Sequence, residues 1–141
     1  MLPAGLVGQT CGVEMTVYVE DWQLDCCDEP FSVGSHVSWT LIRGRSDWIQ
    51  TILGPGTDIT VGAKEEHHGR IPASAPATQG TVNDIYAVWC QYAPPTGSPG
   101  PLEAVPGSGL LIPVTQAHRF GRHHHHSQGK FIGYIAQLRV G

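Results

Sequence analysis

Soft metal donors and nucleophiles are concentrated in two vicinal pairs, Cys26-Cys27 within D-C-C-D-E-P-F-S-V-G and His67-His68 within E-E-H-H-G. Thiolate and neutral imidazole are donors that zinc accepts. The first chemistry these residues suggest is therefore a metal site drawing on Cys26, Cys27, His67, His68 and Cys90, with His118 as a further imidazole. Adjacent side chains on an extended backbone point to opposite faces, so one member of each pair binds while its neighbour packs or meets water. One Cys of 26/27, one His of 67/68 and Cys90 then leave an open position, as a water-bearing zinc needs. The C-x-x-C and H-E-x-x-H spacings that make a zinc motif strong are missing. Free cysteine also packs well as a small hydrophobe, which is the structural alternative for each thiol.

A cysteine nucleophile is the second chemistry, since a thiolate beside an imidazole oriented by a carboxylate attacks electrophiles. Cys27, His68 and either Glu66 or Asp28 are the right types, although Asp25, Asp28 and Glu29 form an acidic flank that disfavours the thiolate. Ser108, in P-G-S-G-L, lacks the spacing of a nucleophile elbow and reads as a turn residue. Glycine-rich phosphate-cradling motifs are missing, which leaves nucleotide chemistry without support. The run His123 to His126 lies between Gly121 and Gly129 and reads as a solvated hairpin loop that gains charge as pH falls from about 7 to 5.

The elements that must position these residues are mostly short strands. Eighteen glycines and eleven prolines break up stretches rich in Val, Ile, Thr, Trp and Tyr, a composition suited to pleated, half-buried segments separated by turns. Residues 1–14 read as an irregular extension and 15–141 as one β-rich domain. Thr16 to Val19 is the first predicted strand, followed by an acidic corner. Val37, Trp39 and Leu41 alternate with Ser38 and Thr40 after a turn at Gly34-Ser35, and Ile59 to Ala63 is a further strand. The longest strand is expected in T-V-N-D-I-Y-A-V-W-C-Q-Y. The closing strand, F-I-G-Y-I-A-Q-L-R-V, is expected to put Ile132, Tyr134, Ala136, Leu138 and Val140 on one face. One helix is predicted over S-D-W-I-Q-T-I-L, capped by Ser46 or Asp47 and stopped by Gly54-Pro55, with Trp48 packed into the core. Five to six such strands with one short helix make a mainly β fold, a small partly open barrel or strongly curved antiparallel sheet, because closure hides strand edges.

Charge is distributed unevenly along the 141 residues, whose formal net charge is -4. Basic residues first appear at Arg43, whereas Glu14, Glu20, Asp21, Asp25, Asp28 and Glu29 precede it. After Glu103 there are Arg119, Arg122, Lys130 and Arg139 without an acid. The two ends are expected to neighbour and neutralise one another when the sheet closes. A nucleic-acid face on the last third is the alternative, disfavoured by net acidity. Apolar runs stop well short of the ~20 residues that span a bilayer, and the first residues lack the basic start of a secretory signal. A cytoplasmic location with reduced thiols is therefore expected.

From Met15 onward the landmarks W-Q-L-D-C-C-D-E-P-F-S-V-G, V-S-W, D-W-I-Q-T-I-L-G, E-E-H-H-G, G-T-V-N-D-I-Y-A-V, P-G-S-G and F-I-G-Y resemble a family of small bacterial proteins known only as a domain of unknown function. The resemblance implies the extent of a domain and no catalytic role. The functional expectation is a binding or accessory module with a Cys/His polar site, its partner a protein or small molecule rather than nucleic acid or a membrane. A metal-dependent, hydrolase-like enzyme at that site, with zinc as the candidate cofactor, and a nucleic-acid-binding barrel are the alternatives.

Overall fold

The computed structural model describes residues 13–26, 29–44, 46–66, 76–94, 100–118 and 129–140. In chain order they form β1 (Val13–Glu20), α1 (Asp21–Cys26), β2 (Phe31–Ser32), β3 (His36–Trp39), β4 (Leu41–Arg43), α2 (Asp47–Leu53) and β5 (Ala63–Glu65). There follow β6 (Thr78–Cys90), β7 (Tyr92–Ala93), β8 (Glu103–Ala104), β9 (Leu110–Val114), β10 (Gln116–Ala117) and β11 (Lys130–Val140). The fold is mainly β, as composition predicts. The acidic corner after β1 is a second short helix, α1, which the sequence reading does not anticipate.

The main sheet runs β3-β6-β11-β1-β5-β4, with β9 also paired to β6. Thr40 alone separates β3 from β4, yet β3 pairs with β6 and β4 with β5, at opposite ends of that order. One bent segment therefore brings the two ends of the sheet together, and the sheet curls into a partly open barrel. Its pairs are antiparallel except β1 with β5, which run parallel with Val17 opposite Ala63 and Tyr18 opposite Lys64. First and last strands are neighbours: β1 pairs with β11 along its whole length, from Val13 opposite Val140 to Glu20 opposite Gly133. This pairing starts two residues inside the segment read as an extension. It also sets Arg139 Nε 3.4 Å from Glu14 Oε2, the contact between acidic and basic ends that the charge pattern predicts.

Alternation along the strands sorts the core into two faces. Val17, Val19, Trp39, Ala63, Ala87, Trp89, Tyr134, Ala136 and Leu138 fill the inner face, joined by Leu24 and Phe31. Aromatic edges interlock there: Phe31 meets Trp39 at 5.1 Å and Tyr134 at 6.2 Å between ring centroids. Tyr18, Val88, Cys90, Ile132 and Ile135 face outward, under Ile49, Ile52 and Leu53 of α2. Ile132 is thus not on the face of Tyr134, contrary to the alternation expected for β11. A bulge between Phe131 and Gly133 flips it. Gly133 makes the bulge feasible, with φ 143° at a place where a β-carbon would collide with the Val19 carbonyl oxygen.

α2 follows its sequence signals closely. Ser46 has extended φ/ψ and its hydroxyl accepts from the Ile49 N–H, while Gly54, at φ 82°, ends the helix. Burial of Ile49, Ile52 and Leu53 stabilises the seat by roughly 1.5 to 3 kcal/mol per side chain. Trp48 corrects the expectation of a core plug, being 48% exposed with its ring 6.3 Å from that of Tyr18. A two-turn helix presents only a narrow stripe inward, and Ile49, Ile52 and Leu53 occupy it. The segment before β5 also departs from prediction: strand geometry begins only at Ala63. Val61 N–H instead bonds Gln50 Oε1 at 2.6 Å, and Gln50 Nε2 donates to the Ile59 carbonyl at 3.2 Å.

Candidate polar site at the ends of β1 and β5

Because β1 and β5 are parallel, the chain leaves both strands at the same edge of the barrel. β1 continues into α1, which ends at Cys26, and β5 continues through Glu66 towards the histidine pair. Two segments separated by some forty residues in the sequence thus become neighbours, and they are the two that carry the vicinal pairs. Cys27, His67 and His68 lie outside the described residues, and Cys26 is placed as the C-terminal residue of α1.

Polar side chains fill this corner. Gln23 and Glu65 are fully buried and Glu66 is 3% exposed, unusual for residues of these types. Gln23 Nε2 lies 3.2 Å from Glu66 Oε1 and 3.4 Å from Glu20 Oε1. Lys64 Nζ is 2.6 Å from Glu20 Oε1 and 4.0 Å from Glu66 Oε1. The Glu66 N–H donates to the Thr40 carbonyl at 2.9 Å, joining the corner to the bend between β3 and β4. Glu65 shares the inner face with Ala63, so its carboxylate points into the barrel. Sequence reasoning names Glu66 only as a partner for His68 and overlooks Gln23, Glu65 and Lys64. Buried polar side chains leave no signal in a motif, and Gln23 follows the hydrophobic period of a short helix well enough to pass unnoticed.

Cys90 lies elsewhere. It ends β6, with β11 and β1 between it and β5 in the strand order, three strand spacings or roughly 14 Å along the sheet. Its side chain is 1% exposed within the apolar cluster under α2. Burial pushes the thiol pKa up, while a hydrogen bond with the Tyr92 hydroxyl and the Lys130 charge pull it down less strongly. Those surroundings favour a neutral thiol over the thiolate that zinc or nucleophilic chemistry needs. Tyr18 beside it is raised well above its ordinary value, first by burial and then by the charges of Glu20 and Asp21. Its hydroxyl donates to the Ile132 carbonyl at 2.8 Å. Among the described residues, no three His, Cys, Asp or Glu side chains converge in a group able to hold a metal ion.

The remaining sequence candidates have structural roles or lie beyond the description. Ser108 Oγ donates to the Val105 carbonyl at 2.6 Å and accepts from the Gln91 N–H at 3.0 Å, which locks a turn. The His118 N–H donates to the Tyr134 hydroxyl at 2.9 Å. In the acid-free last third, Arg139 pairs with Glu14 and Lys130 lies 5.3 Å above the Tyr92 ring. Arg119, Arg122 and His123 to His126 lie outside the described residues. A cleft of about 490 Å³ opens between α2 and the turn at Pro106-Gly107, lined by Asp47, Thr51 and Pro55 among others. It adjoins neither Gln23 nor the Glu65-Glu66 pair. No helix among the described residues is long and apolar enough to cross a membrane.

The chain belongs to DUF6578, a family of unknown function whose model matches residues 13–140. That match covers the described barrel from the first residue of β1 to the last of β11. No curated protein and no solved structure matches the chain.

Proposed function

We propose that this domain is a binding module whose site is the corner where β1 and β5 end, and whose ligand is a soft divalent cation of the zinc type. The parallel pairing of β1 with β5 carries this reading, because the chain leaves β1 towards the C-C pair and β5 towards the H-H pair at one edge of the sheet. Chain geometry limits how far apart they are. Cys26 follows Gln23 by three residues, about 4.5 Å of helix rise. His67 and His68 follow Glu66 by one and two residues, at most about 7 Å of chain. Gln23 and Glu66 are themselves in hydrogen-bond contact. One thiolate from Cys26 or Cys27 and one imidazole from His67 or His68 form the donor set, with the remaining positions open to water or a ligand. Cys90 is left out because its buried, neutral thiol faces the α2 cluster.

Metal analysis tests the proposal, using protein in which His123 to His126 are replaced by Ser so that the run contributes no zinc. One zinc per chain is expected. It should be lost when Cys26 and Cys27 are both changed to Ser, and when His67 and His68 are both changed to Ala. Metal-free protein that gains no thermal stability on titration with zinc would overturn the assignment. If zinc binds and survives both double substitutions, the site lies elsewhere.

A further inference from the structure

α2 has two working faces. Ile49, Ile52 and Leu53 pack on the sheet, whereas Asp47, Gln50, Thr51 and Gly54, spaced i, i+3, i+4 and i+7, line one wall of the cleft of about 490 Å³. Pro55, Pro106 and Gly107 complete its lining. The Gly107 N–H ties the opposite turn to the helix by donating to the Thr51 carbonyl at 2.9 Å, and the Gly109 N–H donates to the Ile52 carbonyl at 2.8 Å. At Gly54 a β-carbon would lie 3.0 Å from the Gly107 α-carbon, so these two glycines let the helix end and the turn approach closely. We infer that this cleft is a docking site for a partner protein, which it engages through a lysine or arginine side chain of a basic peptide segment. The inference is independent of the proposed zinc site.

The hydrogen-bonding groups around the cleft set the charge of its occupant. Gln50, Gly54 and Gly107 spend their N–H groups on the carbonyls of Ser46, Gln50 and Thr51, and Pro55 and Pro106 have no N–H to give. The Gln50 carboxamide is taken by Ile59 and Val61. The side chains left for a ligand are the Asp47 carboxylate, which only accepts when ionised, and the Thr51 hydroxyl. An anion would meet a like charge with few donors to offset it, whereas an ammonium or guanidinium group finds acceptors of opposite charge. The surrounding field has the same sign. Segments 46–62 and 100–117, which supply both walls, contain Asp47, Asp58 and Glu103 and no Lys, Arg or His. Arg43 contacts Met15 and Thr78, Lys130 lies over the Tyr92 ring, and Arg45 is outside the described residues. Charge complementarity of this kind steers association and selects partners. The two prolines offer an apolar wall for the methylene stem of a Lys or Arg whose head reaches Asp47. Small-molecule pockets enclose most of their ligand, but Asp47, Thr51, Pro55, Pro106 and Gly107 are all exposed. Such an open trough suits one side chain of a peptide lying across the surface, with the half-exposed Trp48 beside it on α2 as a second anchor.

Amide NMR titration of the whole chain tests the docking site. The probe is a capped Ala-Arg-Leu-Arg-Ala peptide, with the capped Ala-Glu-Leu-Glu-Ala peptide as control and spermidine as the small-molecule arm. At millimolar concentration the arginine peptide should shift the amides of 47–54 and 106–109 and the Trp48 indole N–H, and the shifts should shrink in about 0.5 M salt. The glutamate peptide should leave these signals in place. Asp47→Asn should weaken binding about 2- to 5-fold, as befits an exposed ion pair. Thr51→Lys puts an ammonium four residues after Asp47 on the same helix face. It should abolish the shifts without lowering the melting temperature, which separates loss of the site from loss of the fold. Absent shifts with the arginine peptide, equal shifts with the glutamate peptide, or parental affinity in Asp47→Asn overturns the inference. Spermidine matching the arginine peptide in affinity and shift pattern would assign the cleft to small amines and overturn the protein partner.

Discussion

The outer face under α2 and the corner at the ends of β1 and β5 both contain hydrogen-bonded polar side chains, but only those of the corner are buried, and the two regions use them differently. Beneath α2 several polar side chains complete backbone bonding. Gln50 stands in for a missing strand by bonding Ile59 and Val61, Ser46 caps the helix and Ser108 closes a turn. Apolar side chains do the rest of the packing. In the corner polar groups bond to one another across elements, Gln23 to Glu20 and Glu66, and Lys64 to Glu20. Apolar groups would serve stability there as well or better. The first arrangement maintains a fold. The second ties neighbouring elements to one another, and this contrast is why the corner rather than the cleft beside α2 is proposed as the functional site.

The contrast is broken most forcefully at Gln50. Gln50→Leu strands the Val61 N–H and the Ile59 carbonyl beside a fully buried Val61, and it should cost about 2 to 4 kcal/mol in urea unfolding. Zinc affinity should be unchanged in the variant that remains folded; a large affinity loss would mean that the two regions are coupled. Tyr18 is next in size. Its folded pKa lies above the ordinary 10.0 because burial and then Glu20 and Asp21 disfavour the phenolate. The stability it contributes is therefore complete below about pH 10 and lost as pH rises through the folded value. Tyr18→Phe should cost about 1 to 2 kcal/mol at pH 7 through the stranded Ile132 carbonyl, and should flatten the alkaline fall in stability. An alkaline limb identical to that of the parent would show that phenol ionisation does not limit the fold. The smallest effect is expected at the strand ends, where Glu14 and Arg139 are more than half exposed. Glu14→Gln should change stability by about 0 to 1 kcal/mol, and by still less in 1 M salt. A larger, salt-insensitive change would give this pair a structural weight its exposure does not suggest.

Legibility in the sequence followed the range of the interactions. α2 was readable to within a residue because its cap, apolar stripe and Gly stop are all local. Trp48 was misjudged because which side of a two-turn helix faces the sheet depends on what lies beneath it. The long strands β6 and β11 were readable from alternation, whereas the displacement of Ile132 was not, since the bulge at Gly133 is defined by the approach of Val19 from another strand. The Cys and His pairs are visible in the sequence as candidate donors, but Cys90 looks the same in sequence whether it faces a ligand or the α2 cluster.

By itself, then, the sequence determined a β-rich chain with one well-signalled helix, an acidic start and a basic end, and two vicinal Cys and His pairs, because propensity, period and charge act over a few residues. Tertiary structure alone decided that β1 and β5 run parallel, that β3 and β4 link the two ends of the curled sheet through Thr40, and that Gln23, Glu65 and Glu66 are buried. Those outcomes depend on which distant strands pair and in what register. That choice is made by the summed burial of the whole core and not by any one segment.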